Sequence, residues 1–211
     1  MTHNPPATAA DPKAGGSVRR WVPIRRLHEG HRAKVLRHLL ALDGDDRVWR
    51  FGQRISDERV ARYVDQIDFE HDHVFGTFDR KLELLTLGHL ALDRAGGTGE
   101  FGVSVLARAR GRGLGTQLFE HAVTHARNRG LQTLFLHLAR DNTPMLAIVQ
   151  RASAVIDFEG SDAMAELTLR DDTLGSRLEE LLGYQAAAID FRIKRHALRL
   201  DALAPAHPPA S

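Results

Sequence analysis

The run Arg110-Gly111-Arg112-Gly113-Leu114-Gly115-Thr116 carries the strongest chemical signal in the chain. Its alternating glycines let the backbone bend and come close to a ligand. A strand candidate, Glu100 to Val105, leads into this run, and an amphipathic helix, Gly113 to about Asn128, leads out of it. A helix that starts at such a bend presents free N–H groups and the positive end of its dipole, which together attract an anion. These residues predict a seat for phosphate and hence a phosphate-bearing cofactor. The Lys-Ser/Thr ending of a P-loop and the dinucleotide spacing are both missing, which argues against a nucleotide-binding enzyme.

Other reactive residues give weaker signals. His71-x-His73 beside Asp72 brings two imidazoles together without a third ligand, so the stretch reads as a polar loop and no metal is expected. No sequence feature pairs Ser104 with a base, so it is not read as a nucleophile. The absence of cysteine removes disulfides, thiolate zinc sites and cysteine nucleophiles, and fits the cytoplasm. A net charge of +2, from 29 basic and 27 acidic residues, is no nucleic-acid footprint. Arg19-Arg20 and Arg25-Arg26 read as solvated surface, whereas the cluster from Arg108 to Arg112 has a site around it.

The elements that must position these groups follow from apolar spacing. With 211 residues, 43% of them hydrophobic, the chain can bury one substantial core. Met1 to Gly16 is rich in Ala, Pro and Gly and reads as a disordered leader without a signal peptide, and no stretch is long enough to cross a bilayer. Val18 to Ile24 is a strand candidate, Glu29 to Leu42 a helix stopped at Asp43-Gly44-Asp45, and Ser56 the cap of another helix. His73 to Phe78 and Leu84 to Leu92 predict an antiparallel hairpin. After the glycine run come a strand over Leu131 to Leu138 and a short helix opened by Asn142. Val155 to Glu159 and Met164 to Leu169 predict a last hairpin. Residues 17–170 thus form one α/β domain, a mixed, mostly antiparallel sheet flanked by helices. Residues 171–203 repeat apolar side chains at helical intervals, which predicts a C-terminal helical extension able to cover the domain or cross a dimer interface, and 204–211 form a loose tail.

The strand Glu100-Phe101-Gly102-Val103-Ser104-Val105 followed by Arg110-Gly111-Arg112-Gly113-Leu114-Gly115 resembles the coenzyme A signature of the GNAT acetyltransferase superfamily, Arg/Gln-x-x-Gly-x-Gly/Ala. The Asn142-Thr143-Pro144-Met145 helix entry is also similar to bacterial protein lysine acetyltransferase domains. This resemblance implies a sheet whose two central strands splay apart to admit the pantetheine arm of acetyl-coenzyme A. It implies that backbone groups of Val103, Ser104 and Val105 pair with that arm. The pyrophosphate would then meet the N–H groups of Arg110, Gly111, Arg112, Gly113, Leu114, Gly115 and Thr116. Asn142 would orient the coenzyme or simply cap its helix.

The implied reaction moves an acetyl group onto a primary amine, of a small molecule or a protein lysine, by direct attack. Such an amine must first lose a proton, and Glu100, at the start of the cofactor strand, is the candidate base; a solvated strand-end glutamate is the plain alternative. His89 and His137 are reserve members of a proton path, each also readable as a structural histidine. Many relatives carry a tyrosine seven residues after the asparagine as the general acid, but here that position is Val149. Ser153-Ala154 likewise replaces a later Gly-Phe. These departures leave an alternative, an acyl-coenzyme A binding or regulatory module with weak catalysis.

Overall fold

The computed structural model describes residues 22–93 and 96–169. The expected leader, the C-terminal extension and the tail lie outside these residues, as does most of the strand expected at Val18 to Ile24. Within the described part of that stretch the backbone is irregular, and the first strand, β1, is the short Arg25–Arg26. Pro23 supplies no N–H for a ladder, which fits pairing that begins only after it.

A turn of 3-10 helix, Glu29–His31, leads into α1, Arg32–Leu40. The Asp43-Gly44-Asp45 turn does not merely end α1. Asp43 accepts a hydrogen bond from the Asp46 amide and caps a further helix, α2, Gly44–Phe51, which the sequence reading missed. Gly52, in the left-handed region, closes it. Ser56 caps α3, Asp57–Asp65, as expected.

The strands are β2, His73–Phe78; β3, Leu84–Leu92; β4, Thr98–Val105; β5, Thr133–Ala139; β6, Val155–Glu159; and β7, Asp162–Thr168. Helix α4, Leu114–Asn128, joins β4 to β5, and α5, Thr143–Arg151, joins β5 to the last hairpin. Together the strands form one sheet in the order β1-β2-β3-β4-β5-β7-β6, antiparallel except where β4 meets β5.

Alternation along the strands builds a core on each face of the sheet. Val35 and Leu39 of α1 and Val60 and Val64 of α3 pack against Val74, Leu84 and Leu87 on one face. Leu118, Phe119 and Ala122 of α4, with Met145 and Val149 of α5, pack against Phe101, Leu134, Leu136 and Ala165 on the other. Burial of this kind contributes roughly 25 cal/mol per Å² of apolar surface and holds the strand ends that carry the site.

Candidate active site

The two parallel strands at the centre pair at only three positions, Thr98 with Thr133, Gly99 with Leu134 and Glu100 with Phe135. Beyond Glu100, β4 continues to Val105 on the β3 side while β5 turns away toward β7. The edge of β4 from Phe101 to Val105 therefore faces a gap. A groove of about 490 Å³ opens there, lined by Val103, Ser104 and Val105 on one side and by Asn142, Met145 and Ile148 on the other.

The glycine run closes one end of this groove. Gly111 and Gly113 both have φ of +72°, a conformation that costs an L-residue roughly 1–2 kcal/mol, and a Cβ at either would meet nothing within 4 Å. Gly113 sits at the N-cap of the fifteen-residue helix α4 and offers no side chain to its first-turn N–H groups. Those donors and the helix dipole remain available to an anion. Gly111, Gly113, Leu114, Gly115 and Thr116 all line the groove.

The arginines of the run separate. Arg110 lines the groove, where its Nη2 pairs with the buried carboxylate of Asp46, its Nε donates to the Val105 carbonyl at 3.3 Å, and its guanidinium lies 5.9 Å from the Trp49 ring. Arg112 turns outward and donates to the Arg108 carbonyl at 3.0 Å, away from the groove lining. Asn142 caps α5, its side-chain oxygen accepting from the Met145 amide at 3.2 Å, and the same residue lines the groove. Val149 is buried among α4, β5 and β7.

Glu100 is exposed and stands where β4 and β5 part. Strand alternation puts it, with Gly102 and Ser104, on the face covered by α1, α2 and α3. Ser104 has a basic partner that spacing could not reveal, His38 of α1, whose Nε2 lies 2.8 Å from its hydroxyl. Gly102 lies beneath Arg50 of α2: a Cβ there would come within 2.5 Å of the guanidinium carbon.

A hydrogen-bonded chain runs on from Arg50. Arg50 Nη2 donates to the Tyr63 hydroxyl at 2.5 Å, the hydroxyl lies 2.6 Å from His89 Nδ1, and His89 Nε2 lies 2.8 Å from the Asp72 carboxylate. An arginine only donates and a carboxylate only accepts, so the neutral histidine carries its proton on Nε2 and Tyr63 donates to Nδ1. His137 is exposed on β5 and takes no part in this chain. The stretch around His71 disperses: His71 bonds Asp68, Asp72 bonds His89, and His73 stacks on His125 with ring centroids 3.4 Å apart.

Helix α2 thus supplies Asp46 and Trp49 to the groove wall and Arg50 to the adjoining face of β4, and none was foreseen. Its signal was present, in a capping Asp43 and a terminal Gly52 around an apolar-containing octet, but the Asp-Gly-Asp turn outweighed it. Trp49 Nε1 also donates to Asp141 in the β5–α5 loop at 2.9 Å, so α2 bridges the two sides of the gap.

The splayed strands and the glycine bend at a helix start define an acyl-coenzyme A-dependent transferase fold, and comparison with known proteins agrees. Residues 39–152 match the acetyltransferase (GNAT) family, and the chain belongs to that family. Among solved structures, the chain is similar to the GNAT domain of PAT from S. lividans, with 19% identity, a TM-score of 0.57, and coverage of 69% of this chain and 89% of that one. It is similar to a GNAT-family acetyltransferase from Streptococcus pneumoniae, at 17% identity and a TM-score of 0.56 over 70% of this chain and 98% of that one. The ribosomal-protein-alanine N-acetyltransferase from Brucella melitensis gives 16% identity and a TM-score of 0.54 over 69% and 99%.

Proposed function

We propose that this acyltransferase moves an acetyl group from acetyl-coenzyme A to a primary amine by direct attack, with Glu100 taking the proton that the ammonium must lose. The observation that carries the reading is the three-pair junction of β4 and β5, which ends at Glu100 and opens a groove toward the α4 N-terminus. The residues fit the cosubstrate: left-handed glycines with open space above them, uncapped helix N–H groups, and a strand edge free of β5. The cosubstrate supplies an acyl group activated as a thioester.

The protein's own contributions are alignment and proton handling. Main-chain groups from Gly111 to Thr116 hold the diphosphate, Arg110 adds charge beside them, and Val103 to Val105 position the arm. Glu100 accepts a proton from the amine, directly or through water. Nitrogen then bonds to the acyl carbon and the carbon–sulfur bond breaks. The nitrogen gives up its second proton to water as the amide forms, and water passes a proton to the departing thiolate, since Val149 has no acidic group and lies in the core.

The burial of Val149 favours a second reading, a coenzyme-binding module in which transfer is slow. Incubation with acetyl-coenzyme A and a panel of amino acids, polyamines and protein lysines separates the two. Release of free thiol with at least one amine supports transfer. Tight coenzyme binding with no thiol release across the panel supports the binding module.

A further inference from the structure

Arg50 is a half-buried cation on the face of β4 that carries Glu100, and among the described residues it pairs with no carboxylate. Two carboxylates of the site are already engaged, Asp46 by Arg110 and Asp72 by His89. Its Nε is buried and makes no hydrogen bond. Taking an uncompensated charge partly out of water is costly, so such a group calls for an anion.

Three features hold this cation in place. Its guanidinium lies 5.0 Å from the centre of the Phe51 ring and 5.2 Å from that of Tyr63, which attract it through their π faces. Tyr63 is fixed in turn by His89 and Asp72. The absence of a side chain at Gly102 lets the guanidinium lie directly on β4.

The position also fits Glu100. Residues 100 and 102 project from one face two residues apart, about 7 Å along the strand. An acceptor with its amine and an anionic group on neighbouring carbons could address both at once, with the ammonium toward Glu100 and the anion toward Arg50. A guanidinium offers a planar fork matched to a carboxylate. By contrast, an acceptor that carries only positive charge meets repulsion from Arg50.

Resting on the transfer reading above, we infer that Arg50, poised over Gly102 beside Glu100, selects acceptors that carry a carboxylate next to the reacting amine, of the free amino acid class. Tyr63, His89 and Asp72 are positioning residues that aim it.

The test compares free L-amino acids with their α-carboxamides, using acetyl-coenzyme A and the full chain. Thiol release should favour the acids by at least about tenfold in kcat/KM, through KM, as loss of a charge-assisted pair implies. That ratio should fall toward one in Arg50→Gln and survive in part in Arg50→Lys, which keeps charge without the fork. Tyr63→Phe should lower the ratio while circular dichroism shows the fold retained. Equal use of acids and amides by the unaltered protein, or a ratio untouched by Arg50→Gln, overturns the proposal. Turnover confined to polyamines or protein lysines overturns it too and leaves acetyl transfer standing. Calorimetric titration of the same amino acids into the coenzyme A complex provides a readout independent of turnover. Binding that Arg50→Gln abolishes, without turnover, upholds Arg50 and defeats the transfer reading; absence of binding defeats Arg50.

Discussion

The Ser104 hydroxyl donates to Nε2 of His38 across 2.8 Å, while Nδ1 of the same ring donates to the Leu84 carbonyl at 3.0 Å. A carbonyl can only accept, so Nδ1 carries the proton, and Nε2 of the neutral ring is the acceptor. Burial is the main reason that the His38 pKa drops from 6.5 to about 4, and the Leu84 hydrogen bond opposes that fall only in part.

This burial gives stability a direction with pH. Above pH 6.5 neither the folded nor the unfolded chain protonates His38, and the group is neutral toward folding. Between 6.5 and about 4 the unfolded chain binds a proton that the folded one refuses, so stability falls as pH falls and the loss levels off below about 4. His38 alone accounts for about 3 kcal/mol of that loss. Burial acts in the same sense on His31, lowered to about 4, and on His73, lowered by burial and then by the neighbouring His125 and His121. Urea unfolding at pH 7.5, 6 and 5 should show a steadily lower midpoint, and a flat profile contradicts the account.

Replacing Gly113 by glutamate puts bulk and negative charge at the start of α4 and forces an L-residue to φ +72°. Calorimetry should show coenzyme A binding weakened by about tenfold or more, a change of about 1.4 kcal/mol. Unchanged affinity would remove the glycine bend from the binding site.

For Glu100→Gln the effect should fall on turnover, by roughly a hundredfold or more, with far less change in coenzyme affinity. Raising the pH supplies more free amine, so the deficit should shrink toward alkaline conditions. If the variant matches the original enzyme across the pH range, another group or solvent removes the proton.

Asp46 spends its carboxylate on Arg110 at the groove wall. Asp46→Asn releases that arginine and makes the groove more positive, so coenzyme A should bind a few-fold more tightly at low ionic strength, with the gain fading as salt screens it. Weaker binding at every salt concentration would mean that Asp46 chiefly aims Arg110.

Much of this was readable before any coordinates. The segments His73–Phe78 and Leu84–Leu92 predict the hairpin because a polar turn separates two runs rich in apolar and β-branched residues, and nearly all of those residues are buried. The glycine bend was legible because strand, turn and helix are adjacent in sequence. Helix α2 was hidden by its own cap, Asp43, whose neighbours also spell a turn. The partners of Ser104 and Gly102 lie 66 and 52 residues away in sequence, in α1 and α2, and such pairings arise only when the helices dock on the sheet. The same holds for Asp72, His89 and Tyr63, where local spacing around His71 and His73 suggested a different partnership.

Because β5 swings aside after Glu100, the protein exposes, in the middle of its own sheet, a length of backbone that most folds keep at a guarded rim. An extended molecule laid into that opening completes the sheet as a missing strand would.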